Sequence, residues 1–145
     1  MALGRLRDGQ ALPALLKLLD DESIAVRFFA VDSLAAANDK RAVEPLSGLE
    51  RRLGRARTPG SPQLLAELNL RAAVLAALTG IDAPGSVGNF LAAARAREFP
   101  RDNALGLQLH DAQYELRRAA VVGLGYSRMD AATTALISPD VLGDP

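Results

Sequence analysis

The chain has 145 residues, with 17 basic and 17 acidic side chains, one histidine and no cysteine. Hydrophobic residues make up 49% of the chain and aromatic ones only 4%, which predicts a folded chain rich in Ala and Leu rather than a disordered one. The absence of cysteine excludes disulfides and thiolate metal sites. Zero net charge argues against a dedicated nucleic-acid binder, whose affinity depends on neutralising phosphates. Neither a secretory signal nor a run of about 18 apolar residues is evident, so we expect a cytoplasmic protein without a membrane span.

The first predicted unit spans about residues 8–38 and consists of two helices joined by a polar turn. Leu12, Leu15 and Leu19 recur at helical spacing and predict a first helix near 9–19. Pro13 lies in its early turns, where a missing N–H is best tolerated. The second helix is predicted at about 23–37.

The remaining units repeat this organisation, with about seven helices in all. The second unit, about 39–80, has helices near 40–54 and 63–79, a Gly/Pro-rich loop between them, and an end near Gly80. The third unit, about 82–126, has helices near 84–98 and 111–126, and a partial fourth unit at 128–138 contains a helix near 129–137. Leu105, Leu107 and Leu109 alternate, but a lone strand would leave its backbone unpaired in an all-helical chain, so a helix or loop is favoured there.

An aspartate stands immediately before each first helix. A carboxylate at this position accepts hydrogen bonds from the unpaired N–H groups of the first helical turn and suits the helix dipole. The predicted N-caps are Asp8, Asp39, Asp82 and Asp130.

A repeated motif marks the second helix of each unit. Three segments that begin at Arg27, Arg71 and Arg117 align without gaps, and the arginines are 44 and 46 positions apart. A period in the forties predicts a solenoid of stacked helix pairs.

Pro13, Asp21 and Arg27 resemble the HEAT-repeat pattern, in particular the short bacterial HEAT-like class first noted in phycobilisome lyases. The resemblance covers about residues 8–137 and is weakest in the second unit, where Leu65 stands at the aspartate position. It implies one domain with an all-α fold, an α-solenoid or superhelix of stacked antiparallel hairpins.

The resemblance also implies a hydrogen-bonded ladder of aspartates and arginines between adjacent repeats. The ladder residues would be Asp21, Arg27, Arg71, Asp111 and Arg117. Truncating Arg27 to alanine would then strand a partly buried acceptor and cost roughly 1–3 kcal/mol.

Two surfaces are candidates for binding. In HEAT hairpins the second helices line the concave face, which implies that it carries Phe28, Asp32, Arg118 and Val122. An exposed aromatic beside an arginine suits protein recognition; the alternative is that Phe28 packs against the first helix of its own unit. The second candidate is a basic edge, which meets an acidic partner or phosphates if the units stack in parallel, or else forms solvated loops. Its residues are Arg51, Arg52, Arg55, Arg57, Arg95 and Arg97.

The sequence assigns no catalytic, cofactor-binding or metal-binding residue. His110 is the one histidine, so it can build neither a multi-histidine metal centre nor a nucleophile pair. HEAT-like hydroxylases use repeated His-Glu pairs, and HEAT-like DNA glycosylases use aromatic side chains, whereas this chain has no His-Glu pair, no Trp and two tyrosines.

The leading functional prediction is a non-catalytic scaffold or adaptor that binds a partner protein through the concave face. The resemblance implies an alternative, an accessory subunit of a chromophore lyase or another protein-modifying enzyme. Nucleic-acid binding through the basic loops ranks third. Neither end carries an obvious polar cap, and repeat arrays require such caps. We therefore expect a piece of a longer array, or self-association through the ends.

Overall fold

The structure is a computed structural model, and it describes residues 11–55, 62–96, 101 and 103–127. These residues form helices and turns without a strand, and the six α-helices make three successive hairpins. In chain order they are α1 (Ala11–Leu18), α2 (Ile24–Ala37), α3 (Val43–Arg55), α4 (Pro62–Asp82), α5 (Val87–Ala94) and α6 (Ala104–Ser127). The predicted seventh helix near 129–137 and the partial fourth unit lie outside the described residues.

The helices form two layers. The second helices α2, α4 and α6 pack side by side with α4 in the centre, and α1, α3 and α5 each pack against the second helix of their own hairpin. A continuous core of leucine and alanine runs through all three hairpins, with Leu34, Leu75 and Leu116 among its fully buried members. The predicted all-α stack of antiparallel hairpins is therefore confirmed for the described residues.

The first hairpin turn is held by its own polar side chains. Ser23 is the N-cap of α2, and its hydroxyl accepts a hydrogen bond from the N–H of Val26. The carboxylate of Asp21 accepts from the N–H of Ser23 at 2.8 Å. At the other end of α2, Asn38 adopts the left-handed conformation with φ 51°, which asparagine tolerates better than most residues.

A 3-10 turn precedes both α3 and α5, and the carboxylate of an aspartate accepts a backbone hydrogen bond at each. Asp39 accepts from the N–H of Arg41 at 2.9 Å and caps the turn Lys40–Ala42, which confirms this predicted cap. The predicted cap Asp82 is a correction: it is the last residue of α4, and the N-cap of the turn Pro84–Ser86 is Ala83, although the carboxylate of Asp82 accepts from the N–H of Gly85 at 3.2 Å. The other two predicted caps, Asp8 and Asp130, lie outside the described residues.

Helix α4 continues past its predicted end at Gly80. It ends at Asp82, and Ile81 in its last turn is buried in the core. The segment Gln63–Asp82 is long and apolar enough to cross a membrane by length and composition alone. Half of that window is buried and α4 packs between α2 and α6, as the core helix of a helical stack does.

Helix α6 begins at Ala104, seven residues before the predicted start at 111. Asn103 initiates it by accepting a hydrogen bond from the N–H of Gly106 at 2.8 Å. Leu105 and Leu109, one helical turn apart, face the core, whereas Leu107 is exposed. The alternating leucines therefore belong to a helix.

Packing between α5 and α6 depends on an unequal pair of residues. Phe90 is fully buried on α5, and a Cβ added to Gly123 on α6 would lie 2.5 Å from its ring. The corresponding residues of the second hairpin are Leu46 and Ala77. The third hairpin thus accommodates a larger side chain on one helix by a missing side chain on the other.

Candidate functional site

Arg71 makes a buried ion pair with Glu50. Nε and Nη2 of Arg71 donate to Oε1 of Glu50 at 3.0 and 2.7 Å, and Nε also reaches Oε2 at 3.2 Å. The exposed side-chain fractions are 11% for Arg71 and 3% for Glu50. Because Glu50 lies on α3 and Arg71 on α4, this pair joins the two helices of one hairpin and not two adjacent repeats.

Arg117 reaches the equivalent position in the third hairpin. Its Nε donates to the carbonyl oxygen of Ala94 at 3.1 Å. Buried residues four apart on the first helices show the equivalence: Leu46 and Glu50 correspond to Phe90 and Ala94. Arg71 and Arg117 thus approach the end of the first helix of their own hairpin, which differs from the bridge between adjacent repeats that the resemblance implied.

Arg27 lacks such an acceptor. The equivalent position in the first hairpin is Leu19, which has no carboxylate, and Nε of Arg27 is buried without a hydrogen-bond partner among the described residues. The predicted cost of truncating Arg27 assumed that its guanidinium binds a partly buried acceptor. The structure shows no acceptor for its Nε among the described residues.

The two predicted ladder aspartates have different positions. Asp21 lies in the hairpin turn, as predicted, and bonds to the backbone there. Asp111 lies inside α6, and its side chain is 85% exposed. The six-residue offset between Asp111 and Arg117 copies the first unit in sequence, but the early start of α6 removes the turn in which the aspartate would act.

Burial raises the pKa of Glu50 above its ordinary value, and the hydrogen bonds and charge of Arg71 oppose that rise. Desolvation disfavours the charged form of a carboxyl, whereas a nearby guanidinium favours it. The carboxyl of Glu50 thus depends on Arg71 to remain ionised inside the protein.

A cleft separates the first helices of the second and third hairpins. Its volume is about 780 Å³, and the Glu50–Arg71 pair lies in its lining. Asn89 spans the cleft by donating from its amide to the carbonyl oxygen of Ser47 at 3.3 Å. The complete lining is Val43, Glu44, Ser47, Glu50, Arg51, Gly54, Arg55, Arg71, Gly85, Gly88, Asn89, Ala92, Arg95 and Ala96.

Three of the six arginines predicted to form a basic edge meet in this cleft. Arg51 and Arg55 enter it from α3, and Arg95 enters from the end of α5. Arg52 points elsewhere and pairs with Asp20 of the first hairpin at 2.7 Å. The other two predicted members, Arg57 and Arg97, lie outside the described residues.

The second candidate surface is the exposed side of the α2–α4–α6 layer, which we term the open face. Asp32, Ala76 and Val122 occupy equivalent positions on the three helices, and all are exposed. Arg118 is exposed as well, with 65% of its side chain accessible. Phe28 is half-buried and packs against the core, which favours the alternative in which it packs within the stack over the one in which it is an exposed recognition residue.

Sequence reasoning missed most of the apolar part of the open face. Every large hydrophobic side chain that is exposed within the described residues lies on α6. Spacings of four and seven residues place them with Arg118 in one stripe, which we term the α6 stripe. Their exposed fractions are 49% for Leu107, 62% for Tyr114, 45% for Val122 and 68% for Tyr126. Helical spacing from Tyr114 to Tyr126 signalled this stripe, but its full length requires the early start of α6.

His110 is largely enclosed within α6. Its Nε2 lies 2.6 Å from Nη2 of Arg101, and its side chain is 14% exposed. Within the described ranges, no group of three or more His, Asp or Glu side chains is arranged to hold a metal ion.

Comparisons with known proteins support the HEAT resemblance in the N-terminal part. A family profile for HEAT repeats matches residues 1–57, so the resemblance predicted from the sequence is confirmed there. The bilin biosynthesis protein PecE from Nostoc sp. is 51% identical over 49 residues. That alignment covers 33% of this chain and 19% of PecE, so the chain spans much less than two thirds of this curated relative.

Proposed function

We propose that this chain is a non-catalytic scaffold that binds a partner protein through the open face. The HEAT-repeat match over residues 1–57 supports a helical repeat scaffold. The α6 stripe is the observation that carries the binding role, because a contiguous set of exposed aromatic and aliphatic residues is unusual outside an interaction site.

The composition of the α6 stripe fits a protein partner. Tyrosine and arginine are the residues that most often dominate binding energy in protein interfaces, and Tyr114, Arg118 and Tyr126 follow one another along one side of α6. Both tyrosine rings are mainly accessible, so a partner would bury much apolar surface on contact.

The test compares affinity purifications from the native source with matched variants as bait. The double variant Val122→Ser/Tyr126→Ser removes apolar area from the open face. Gly80→Trp obstructs the same face, because Gly80 aligns with Tyr126 and no atom lies within 4 Å of a Cβ placed there. Arg52→Gln, whose side chain lines neither the cleft nor the α6 stripe, is the control.

We expect to find a protein that the wild type and Arg52→Gln retain and that both open-face variants lose. The purified partner should then bind the double variant about 30-fold more weakly or worse, the loss typical of interface hot spots. Retention of the same proteins by every variant, each with a wild-type melting temperature, would contradict the proposal.

A second candidate function rests on the 49-residue match to PecE. In that case the chain is an accessory subunit of an enzyme that attaches or modifies a bilin. Titrating biliverdin, a linear tetrapyrrole, with the chain would then shift its absorption spectrum in a saturable manner. An unchanged spectrum, both alone and in the presence of a captured partner protein, rejects the accessory role and leaves the scaffold proposal standing.

A further inference from the structure

We propose that the open face binds an amphipathic α-helix of a partner protein, and that this helix places a basic residue opposite Asp32. The inference rests on the proposed function, because it names the structural element and the chemistry that the open face would recognise. Three observations carry it: the exposed apolar side chains of α6, the unpaired carboxylate of Asp32, and the difference in side-chain size between α4 and its two neighbours.

Helix α4 forms the floor of a trough on the open face. The repeat register, in which Arg27, Arg71 and Arg117 are equivalent, gives four open-face positions on each second helix. On α4 these positions carry Asn69, Ala73, Ala76 and Gly80. The side chains of this floor are short, and no atom lies within 4 Å of a Cβ placed on Gly80.

Helices α2 and α6 form the two walls of the trough, because both pack against α4. Their equivalent positions carry Ala25, Phe29, Asp32 and Ala36 on α2, and Glu115, Ala119, Val122 and Tyr126 on α6. Both Val122 and Tyr126 are exposed, whereas Phe29 is half-buried against the core. The α6 wall is therefore the apolar side of the trough, and a partner that contacts it buries aliphatic and aromatic surface.

The α2 wall carries a carboxylate without a partner. Asp32 is exposed, and its side chain makes no ion pair or hydrogen bond within the part of the chain that the structure describes. Phe29 and Ala36, three residues before and four residues after it, are apolar, and so is the equivalent residue Ala76 on α4. The other open-face acid, Glu115, already lies 3.6 Å from the guanidinium of Arg118.

This charge selects the chemistry of the partner. A wholly apolar partner would cover the Asp32 carboxylate without a cation, and an uncompensated charge in an interface is costly. A lysine or arginine of the partner at this point removes the cost. An unpaired carboxylate also repels phosphates, which disfavours nucleic acid on this surface.

The shape of the trough selects a helix. From Asn69 to Gly80 the floor is about 17 Å long, or three helical turns, and short side chains let a second helix axis approach to roughly 8–10 Å. An amphipathic helix in such a groove contacts it with residues three and four positions apart. An extended peptide would instead pair with a strand edge, and the described residues contain no strand. The bound helix would direct large apolar residues toward α6 and its basic residue toward α2.

The test measures binding of two fluorescein-labelled synthetic helices to the full chain by fluorescence polarisation. Each peptide has about 16 residues, or roughly 24 Å of helix, with leucine and alanine on one side and glutamine on the other. The apolar side of the first peptide has a central lysine, and that of the second has a glutamate in its place. The wild type should bind the lysine peptide about ten-fold more tightly, since attraction is replaced by repulsion. Asp32→Asn should remove most of this preference, and Asp32→Lys should reverse it.

Two tryptophan variants separate the trough from the rest of the surface. Gly80→Trp keeps every charge and fills the floor, so it should abolish binding of the lysine peptide. Gly88→Trp places the same side chain on α5 in the other layer, where a Cβ also meets no atom within 4 Å, and should bind as the wild type does. Both variants should retain the wild-type melting temperature. A lysine peptide with a proline at its centre, which cannot remain helical, should not bind.

Several results would overturn the inference. These are equal binding of the lysine and glutamate peptides by the wild type, undiminished binding of the proline peptide, and equal losses with Gly80→Trp and Gly88→Trp. Self-association of the chain that Gly80→Trp abolishes, measured by sedimentation, would overturn it in favour of a second copy. Capture of a protein through the open face together with no binding of either peptide overturns this inference and leaves the proposed function standing, whereas retention of the same proteins by every bait variant overturns both.

Discussion

Arg71 holds the carboxylate of Glu50 through two of its guanidinium nitrogens, inside one hairpin and almost out of contact with solvent. Two charges in this position lose most of their hydration, and their mutual attraction offsets that cost only while both partners are present. The pair also forms part of the cleft, where Gly54 leaves room for the guanidinium: a Cβ at Gly54 would lie 3.3 Å from Nη2 of Arg71.

The first prediction concerns the stability of this pair. Arg71→Met should lower the free energy of unfolding by about 3–5 kcal/mol, because it leaves a buried carboxylate without its cation. The double variant Glu50→Leu/Arg71→Met should regain stability at or above that of the wild type, since apolar replacement of a whole buried pair is often neutral or stabilising. Urea unfolding of the three proteins measures both effects.

The exposed pair of Arg51 and Glu44 is the matched control for this experiment. Both side chains are more than half exposed, so Arg51→Met should change the free energy of unfolding by about 1 kcal/mol or less. If Arg71→Met costs no more than Arg51→Met, the buried pair does not stabilise the hairpin in the manner described.

The second prediction is a pH dependence with a defined sign. Burial raises the pKa of Glu50 above its ordinary value of 4.5, so between that value and the folded-state pKa the folded protein holds a proton that the unfolded chain has lost. The contribution of Glu50 to stability is therefore present below this window and is lost as pH rises through it.

Removing Arg71 should enlarge this effect. Without the guanidinium, the pKa of Glu50 rises further, and acid relieves the uncompensated charge. The cost of Arg71→Met, measured by urea unfolding, should thus shrink when the pH falls from about 8 to about 5. Adding Glu50→Gln should abolish this pH dependence, and a cost that grows in acid would contradict it.

The third prediction reverses an expectation drawn from the sequence. Truncation of Arg27 was expected to strand an acceptor, but Nε of Arg27 is itself the buried group without a partner within the described part of the chain. An unsatisfied buried donor already carries a desolvation cost. Arg27→Met keeps an aliphatic stem and should therefore leave stability unchanged or raise it, in contrast to Arg71→Met. A loss comparable to that of Arg71→Met in the same urea experiment would show that Arg27 has a stabilising partner.

The contrast between Arg27 and Arg71 explains what the sequence predicts well. The repeat register follows from local patterns, because the arginine recurs at the same position of each second helix and apolar residues surround it at helical spacing. The acceptor is a property of the packed hairpin: Glu50 replaces a core-facing Leu19 or Ala94, and helical spacing within α3 cannot identify its partner. Helical spacing therefore predicts which position of each repeat carries the arginine. It does not predict that Arg71 and Arg117 bind the first helix of their own hairpin instead of an adjacent repeat.

The α6 stripe and the cleft differ in the same way. The tyrosines of α6 are visible at helical spacing, although the alternation from Leu105 to Leu109 concealed the start of that helix. The cleft depends on absent side chains, and helical spacing assigns no role to Gly85 and Gly88 within the helix predicted near 84–98. These glycines leave a space only when α5 is stacked beside α3. The sequence could therefore predict that Arg55 and Arg95 lie at one edge, but not that a cleft lies between them.

The fourth prediction uses two glycines two residues apart on α6. A Cβ at Gly123 would approach the buried ring of Phe90 to 2.5 Å, whereas a Cβ at Gly125 meets no atom within 4 Å. Gly123→Ala should destabilise the protein by about 1–3 kcal/mol through overpacking, in spite of its better helix propensity. Gly125→Ala should stabilise by roughly 0.5–1 kcal/mol, the usual gain when alanine replaces an unconstrained helical glycine.

The double variant Phe90→Leu/Gly123→Ala tests the cause of the loss. It restores the residue types of the second hairpin, Leu46 and Ala77, so it should recover part of the stability lost in Gly123→Ala. Thermal and urea unfolding, with helical content checked by circular dichroism, would measure this coupling. Equal effects of alanine at the two glycines, or additive losses in the double variant, would mean that the α5–α6 interface is not held by the fit of the Phe90 ring against Gly123.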